Sequence, residues 1–283
     1  MKQSFAQAYV SWKSNNHMRY FLAILKKTLK VMITYKWHYI IALLMNPLIL
    51  FIFISIFQAI YAYDGNRIIL GYTCSQMIWY YAAITFFYHL IWSEPDREIS
   101  EEIISGQMAL RLTQPVSVMK ATFANAAASK ISNLLSGFLP TFIMYLWFVY
   151  PDFLTAAAFI KYLALSVLAF VLFYLFSFLT GTFAFKFHNI AALQSVKVFF
   201  VLMTGAYIPF DFFPGVLQAI VKALPFQYVF YIPIQFLLNK PETRDPGYFL
   251  MIVLTQIIWI GVFYGLGIVS WRAALKRFYA VGG

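Results

Sequence analysis

The densest group of side chains able to do charge-based chemistry lies in residues 93–120, which read SEPDREISEEIISGQMALRLTQPVSVMK. This interval holds five of the ten carboxylates of the chain, namely Glu94, Asp96, Glu98, Glu101 and Glu102. Three cations are interleaved with them, and these are Arg97, Arg111 and Lys120. Because charge at this density is costly in hydrocarbon, the interval, called the acidic island below, must lie in water.

The acidic island has the pattern of a short amphipathic helix. Ile99 and Ile103 are four residues apart and fall on one helical face. The opposite face is polar, with Glu98, Glu101, Glu102 and Ser105. Gly106 offers a C-terminal stop, and Pro115 can open the next helix. We expect this helix to lie across a membrane surface, either as a protein-docking element or as a solvated loop with some helix.

No familiar catalytic pattern accompanies these charges. No glycine is followed by lysine, so the phosphate-binding loop GxxxxGK[ST] is absent from the sequence. The chain has no HExxH pair and no GxSxG elbow. Its four histidines are far apart, and these are His17, His38, His89 and His188. Of these, His89 near the end of an apolar stretch is either a functional group or an interfacial side chain with a satisfied hydrogen bond.

The composition predicts an all-α integral membrane protein. Apolar residues make up 62% of the chain and charged residues only 11%, which is too little charge for a soluble domain of this size. The net charge of +11 comes from cations that flank apolar stretches, so nucleic-acid binding is not expected. The single cysteine, Cys74, excludes an intrachain disulfide.

Six apolar stretches are long enough to cross the roughly 30 Å of a bilayer core. They run from about 38–61, 70–92, 131–150, 162–185, 190–207 and 248–270. Before them, residues 17–36 alternate apolar and basic side chains with helical period, which predicts an interfacial helix on the cytoplasmic leaflet. With both termini in the cytoplasm, sixteen of the twenty-one lysines and arginines lie on that side, as the positive-inside rule requires.

The stretch from 190 to 238 is too long for one span, since its 49 residues would make roughly 70 Å of helix. Its second half is interrupted by Pro209, Pro214, Pro225 and Pro233. We therefore expect a re-entrant helical hairpin after the fifth span, on the outer side. Asp211, between two prolines, suits a turn or helix cap better than a binding group.

Four segments together resemble the permease subunits of ABC type-2 exporters. They are GYTCSQMIWYY at 71–81, EEIISGQMALRLTQPVS at 101–117, LMTGAYIPFDFFPGVLQAIVKALPFQYVFYIP at 202–233 and RFYAVGG at 277–283. The resemblance implies one transmembrane domain, 1–283, with a cytoplasmic N-terminus (1–36), a cytoplasmic coupling region (93–130) and an outer hairpin and loop (208–247). Many relatives carry a Phe-Trp pair where this chain has Lys186-Phe187-His188.

The resemblance also implies partners and site residues. Two permease subunits, identical or different, would pair with two cytoplasmic ATPase subunits that bind the ATP, so this chain would hold no cofactor and catalyse no reaction. The ATPase-coupling residues are Glu98, Ile99, Glu101, Glu102, Ile103, Gly106 and Arg111. The residues of the outer hairpin are Gly205, Pro209, Asp211, Pro214 and Pro225. We expect Ile99 and Ile103 to sit in an ATPase groove, with the glutamates facing basic residues at its rim.

Two other classes of protein stay open at this point. An integral membrane enzyme acting on a lipid would need a polar constellation facing one leaflet, and none is visible in the sequence. A channel or scaffold would not need the acidic island. The exporter interpretation places the chain in the cell membrane among lipids. It favours an amphiphilic or largely apolar solute, because the spans are rich in aromatic residues and carry few fixed charges.

Overall fold

The computed structural model describes residues 21–276 apart from 29, 32, 35, 66, 188 and 189. Nearly all of this part is helical, which confirms the all-α prediction. The helices are α1 (Lys36–Asp64), α2 (Cys74–Leu90), α3 (Pro95–Ile104), α4 (Gln107–Leu112), α5 (Val118–Asn133), α6 (Leu139–Phe148), α7 (Ala156–Thr182), α8 (Ala184–Phe187), α9 (Ile190–Leu202), α10 (Gly215–Ala223), α11 (Tyr231–Leu237) and α12 (Pro246–Leu275). A π-helical turn, Leu134–Phe138, joins α5 to α6.

Short elements complete the chain. Strands β1 (Ile68–Ile69) and β2 (Tyr72–Thr73) pair antiparallel between α1 and α2. Three 3-10 turns, Phe210–Phe212, Pro225–Tyr228 and Pro241–Arg244, each follow or begin with a proline. Proline fixes φ and removes a backbone donor, which explains why the chain between α9 and α12 has no long helix.

Four helical segments of the described chain are long and apolar enough to cross a membrane. They are Leu43–Asp64, Val118–Phe148, Ala156–Lys186 and Pro246–Leu275. A fifth crossing is possible if α10 and the segment Pro225–Leu237, which meet at a 70° bend, count as one broken span. The second and fifth expected spans correspond to α2 and α9, whose 17 and 13 residues fall short of a full crossing. The six-span topology stays a prediction.

The expected interfacial helix at 17–36 lies partly outside the described residues. Within it, residues 21–28, 30–31 and 33–34 are helical. Leu22 and Ile33 are exposed there, at 53% and 67%. Its position at a membrane surface stays a prediction, as does the place of the final RFYAVGG segment, which the structure does not describe.

Local caps fix where several long helices begin. The Thr73 side chain accepts a hydrogen bond from the Gln76 backbone, and the Gln76 side chain accepts one from the Thr73 backbone, which together form a capping box for α2. The Asp245 carboxylate accepts from the backbone of Gly247 and Tyr248 at the start of α12. These signals are local, so the sequence encodes them directly.

Helix α7 is the centre of the molecule. Its most apolar stretch is 61% buried, against 11% for α1 and 17% for α12. Helices α3, α11 and α12 all pack against it. Large aromatic side chains of α2 and α7 fill the core, and among the fully buried ones are Trp79, Tyr80, Phe86, Phe87, Phe173, Tyr174 and Phe178. The other long helices therefore keep faces that only lipid or another protein can cover.

A glycine lets the acidic island reach this central helix. A Cβ on Gly181 of α7 would lie 2.9 Å from the Asp96 Cα and 3.1 Å from the Ile99 Cδ1. Any larger residue would collide with the backbone of α3, which cannot move as a side chain can. Gly181 thus sets the distance between α3 and α7.

We predict that Gly181→Ala destabilises the protein although alanine favours helix. The added methyl group collides with α3, and overpacking of this kind costs about 1–3 kcal/mol. The control is Gly261→Ala in α12, where nothing lies within 4 Å of the added Cβ. That variant should keep its stability or gain up to about 1 kcal/mol from helix propensity. Thermal unfolding in detergent is the measurement, and equal midpoints for the two variants would contradict the proposed close contact.

Candidate functional site

The apolar face of the island helix α3 is turned into the protein. Ile99 is fully buried and Ile103 is 8% exposed. Both belong to the main hydrophobic core, and α3 packs against α7, α8 and α9. The expectation that these two isoleucines insert into an ATPase groove is therefore wrong. An amphipathic helix buries its apolar stripe against the nearest apolar surface, and here that surface is the chain's own helices.

Two of the predicted coupling glutamates are engaged within the chain. Arg111 reaches back from α4, and its Nη2 lies 3.5 Å from Glu98 Oε1 while its Nη1 lies 3.8 Å from Glu102 Oε1. The amide of Asn125 also donates to Glu98 Oε1 at 3.0 Å. Burial raises the pKa of Glu98 and of Glu102, and the Arg111 guanidinium opposes this shift in both. These contacts hold α3 against α4 and α5 within the chain.

The predicted helix stop is present where expected. Helix α3 ends at Ile104, and Gly106 adopts the left-handed conformation, with φ of 74°. A residue with a Cβ is strained in this conformation, so glycine suits the turn that reverses the chain into α4.

The outward face of the island carries a different set of side chains. Arg97 and Glu101 form an exposed ion pair at 2.7 Å, and both side chains are more than half exposed. Ile104 at the end of α3 and Leu110 of α4 are also exposed, at 57% and 69%. These two apolar residues lie off the i, i+4 stripe of Ile99 and Ile103, so helical periodicity does not single them out. The exposed residues Glu94, Arg97, Glu101, Ile104 and Leu110 of α3, α4 and the residue before α3 are called the docking face below, and they combine acidic and apolar side chains.

A buried ion pair anchors the island to the membrane helices. Lys197 Nζ of α9 lies 2.9 Å from Asp96 Oδ1, and the two side chains are 3% and 2% exposed. The same ammonium donates to the Ser93 carbonyl at 2.6 Å. It also lies over the rings of Trp92 at 4.5 Å and Phe173 at 5.5 Å. A carboxylate, a carbonyl oxygen and two aromatic rings thus surround the buried ammonium group.

Burial and pairing act in opposite directions on Asp96. Desolvation raises the pKa of its carboxyl group, and the Lys197 ammonium lowers it again. The two residues are 101 positions apart, so no local sequence pattern predicts that they pair. A lysine inside the apolar stretch 190–202 was the available signal, since such a charge requires a partner.

Asp211 organises a polar cluster at the other end of the molecule. Its carboxylate accepts hydrogen bonds from the hydroxyls of Tyr72 at 2.6 Å and Tyr231 at 2.9 Å. Gln235 donates to the Tyr72 hydroxyl at 2.8 Å, and Lys222 Nζ lies 4.0 Å from Asp211. This outer cluster borders a cavity of about 520 Å³. Asp211 therefore joins distant segments rather than merely capping a turn.

The other predicted hairpin residues shape the same region. Gly205 has φ of 82°, and its carbonyl accepts a hydrogen bond from the Tyr80 hydroxyl at 2.6 Å. Pro209 and Pro214 precede the 3-10 turn Phe210–Phe212 and α10, and Pro225 opens the next 3-10 turn. The backbone is thus interrupted at each of these prolines. Whether the segment returns to the same membrane side stays a prediction.

His89 and the chain's other possible metal ligands complete the description of the polar side chains. The His89 ring packs against the π-helical turn, where a Cβ on Gly137 would lie 2.3 Å from its Nδ1. In the part of the chain that the structure describes, no group of three or more His, Cys, Asp or Glu side chains is placed to hold a metal ion.

Comparison with known proteins agrees with the segments quoted from the sequence. A family model described as "ABC-2 family transporter protein" matches residues 43–282. The match covers all the described helices except the residues before 43, and it includes the docking face, the buried ion pair and the outer cluster. No curated protein sequence matches the chain.

We predict that Lys197→Met destabilises the protein by about 3–5 kcal/mol, because it leaves the Asp96 carboxylate buried without a counter-charge. The pKa of Asp96 then rises further, so the folded state holds its proton more tightly than the unfolded chain. Stability should accordingly fall as the pH rises from about 5 to about 8. Unfolding midpoints in detergent at both pH values are the measurement.

Two controls accompany that measurement. Arg97→Gln breaks an exposed ion pair that water screens, so its unfolding midpoint should stay close to that of the unaltered protein at both pH values. The double variant Lys197→Met/Asp96→Asn removes both charges and should recover much of the loss and the flat pH profile. A Lys197→Met protein as stable as Arg97→Gln would refute the anchoring role.

Proposed function

Because the chain belongs to the ABC-2 transporter family, we propose that it is the membrane-spanning permease subunit of an ATP-driven exporter. It is a transport subunit of an ABC transporter with several membrane-crossing helices. The sequence lacks the GxxxxGK[ST] loop that binds nucleotide phosphates. Energy would therefore come from separate cytoplasmic ATPase subunits, and ATP would bind there.

The observation that carries the proposal is the close packing and buried ion pairing of a charged helix, α3, against the central helices α7 and α9. Gly181 brings α3 against α7, and Lys197 ties α3 to α9. Asp96 and Ile99 of α3 are buried against these helices, whereas Ile104 and Leu110 of the docking face are exposed. A push on α3 would thus reach α7 and α9 as one body. A coupling element needs this combination of an exposed contact surface and a stiff connection.

The docking face also has the composition of a protein interface. Its exposed apolar side chains would fill pockets on the ATPase, and its acidic groups would orient the encounter. Ile104 and Leu110, and not the buried Ile99 and Ile103, would be the residues that insert into the ATPase. Glu101 remains a candidate for the rim, whereas Glu98, Glu102 and Arg111 hold α3 and α4 together.

A second permease subunit would complete the pathway. Only 11% of the most apolar stretch of helix α1 is buried, and α9 exposes Val196, Val198 and Phe199. These faces are available to an identical or different permease subunit. The outer segment from Gly205 to Pro225 would cover the external end of this pathway, with the outer cluster fixing its shape. The solute would be amphiphilic or largely apolar, because the exposed helix faces offer few charges.

The rival classes gain no support from the geometry. An enzyme acting on lipid would need polar groups free to meet a substrate. Asp211 of the outer cluster accepts hydrogen bonds from two tyrosines. The ammonium group of Lys240, which lines the same cavity, donates to the Gly71 carbonyl. A channel or scaffold leaves the exposed, rigidly anchored docking face without a role.

An ATPase subunit should copurify with the unaltered protein. We predict that Ile104→Asp and Leu110→Asp each lower the affinity for this ATPase by about tenfold or more. A charge placed at the centre of a contact removes apolar burial and opposes desolvation. Both side chains are exposed, so thermal stability should stay unchanged. Pull-down and stimulated ATP hydrolysis in nanodiscs are the measurements.

Ile103→Ala is the matched control for that experiment. Its buried side chain makes this variant lose stability, by about 2–5 kcal/mol, whatever it does to ATPase binding. Failure of any ATPase to copurify would contradict the permease proposal. If both aspartate variants bind the ATPase as the unaltered protein does, the docking face is not the ATPase contact, and the permease proposal is unaffected.

The proposed orientation places the acidic island in the cytoplasm and the 3-10 turn Pro241–Arg244 outside. In a Cys74→Ser background, a single cysteine at exposed Ser105 should resist an impermeant maleimide on intact cells, while one at exposed Glu242 should react. Both should react once the cells are permeabilised. Labelling of the Ser105 position from outside would reverse the topology.

A further inference from the structure

A groove on the surface of the membrane domain lies between α5, α7 and α12. All three helices belong to candidate membrane spans. The groove has a volume of about 480 Å³, within the roughly 300–1,000 Å³ of pockets that enclose a small-molecule ligand. Its length is lined by aliphatic and aromatic side chains, including Phe123, Val171, Tyr264 and Trp271. Such a lining fits a hydrocarbon chain.

Two cations stand at one end of this groove. Lys120 lies in the first turn of α5 and Arg272 in the last turn of α12, and both line the groove. Both are exposed, and neither pairs with a carboxylate among the described residues. This is the end that carries the acidic island, since Lys120 closes the island sequence. The groove is therefore apolar along its length and positive at its mouth.

The groove walls are held in place by hydrogen bonds. The Tyr174 hydroxyl of α7 donates to the Met119 carbonyl of α5 at 2.7 Å and lies 2.7 Å from the Thr122 hydroxyl. On the other side, Thr182 of α7 and Ser270 of α12 bring their hydroxyl oxygens within 2.5 Å. The site is thus largely formed before a ligand arrives, which reduces the entropy cost of binding.

We infer that this groove binds one anionic phospholipid, with an acyl chain along the apolar wall and the headgroup phosphate between Lys120 and Arg272. A soluble anion would leave the apolar length uncovered. A zwitterionic phospholipid would bring its own ammonium group towards Lys120 and Arg272, whereas an anionic phospholipid adds no cation to this end of the groove. Basic pockets between membrane helices select anionic headgroups for this reason. The lipid would link the end of the acidic island to α12, which no ion pair among the described residues does.

The test uses Trp271 as a reporter, because it lines the groove. The purified full chain is placed in phosphatidylcholine nanodiscs that contain increasing fractions of brominated phosphatidylglycerol or, separately, brominated phosphatidylcholine. The Trp271 signal is the difference in quenching between the protein and its Trp271→Phe variant. Brominated phosphatidylglycerol should quench this signal at a far lower fraction than brominated phosphatidylcholine.

Charge variants decide whether the preference belongs to the groove. Lys120→Ala/Arg272→Ala should lower the preference for phosphatidylglycerol by about thirtyfold, since each cation near an anionic surface contributes about fivefold. The control Lys276→Ala removes an exposed cation at the same end of α12 that does not line the groove, and it should keep the preference. Ile268→Phe, which narrows the groove without adding another tryptophan, should reduce quenching of Trp271 by both lipids.

Two results would overturn the inference. Equal quenching by the two lipids would mean that the groove holds bulk lipid without selection. An equal loss in Lys276→Ala would mean that only the general surface charge attracts the anionic lipid. Because the readout needs no ATPase, either result would leave the permease proposal untouched.

Discussion

The structure depends on one buried ion pair. Lys197 of α9 and Asp96 of α3 are both almost fully inaccessible, and they meet at 2.9 Å. Either charge alone would be very costly in this surrounding, so each helix can occupy its place only with the other present. The carbonyl of Ser93 and the rings of Trp92 and Phe173 complete the environment of the ammonium group. The pair thereby fixes an acidic, water-exposed helix to helices that are otherwise apolar.

Two further constraints make this attachment stiff. Gly181 allows the backbones of α3 and α7 to approach, and Ile99 fills the space beside it. Arg111 then draws α4 against Glu98 and Glu102. These contacts do not involve Glu101, Ile104 or Leu110, whose side chains are exposed. The proposed transfer of force from a separate ATPase requires such a division between anchor and contact surface.

The two ends of the molecule use polar groups differently. At the island end, the charges of Glu98, Glu102 and Arg111 are partly buried and hold together the helices that carry the docking face. At the other end, Asp211 binds the hydroxyls of Tyr72 and Tyr231, which come from the β1–β2 hairpin and from α11. There a single carboxylate holds together a chain that its prolines have broken into short helices. Irregular backbone near a membrane needs such partners for its polar groups.

The sequence by itself determined the class of protein, the helical content, the family and the breaks at Pro209, Pro214 and Pro225. These depend on local properties: the length of apolar runs, the fixed φ of proline and the short motifs of residues 43–282. It also located the island helix and its turn at Gly106. Only the tertiary structure decided that Ile99 and Ile103 face inward and that Asp96 meets Lys197. Helical periodicity tells which side chains share a face but not which surface covers that face, and a partner 101 residues away leaves no local signal.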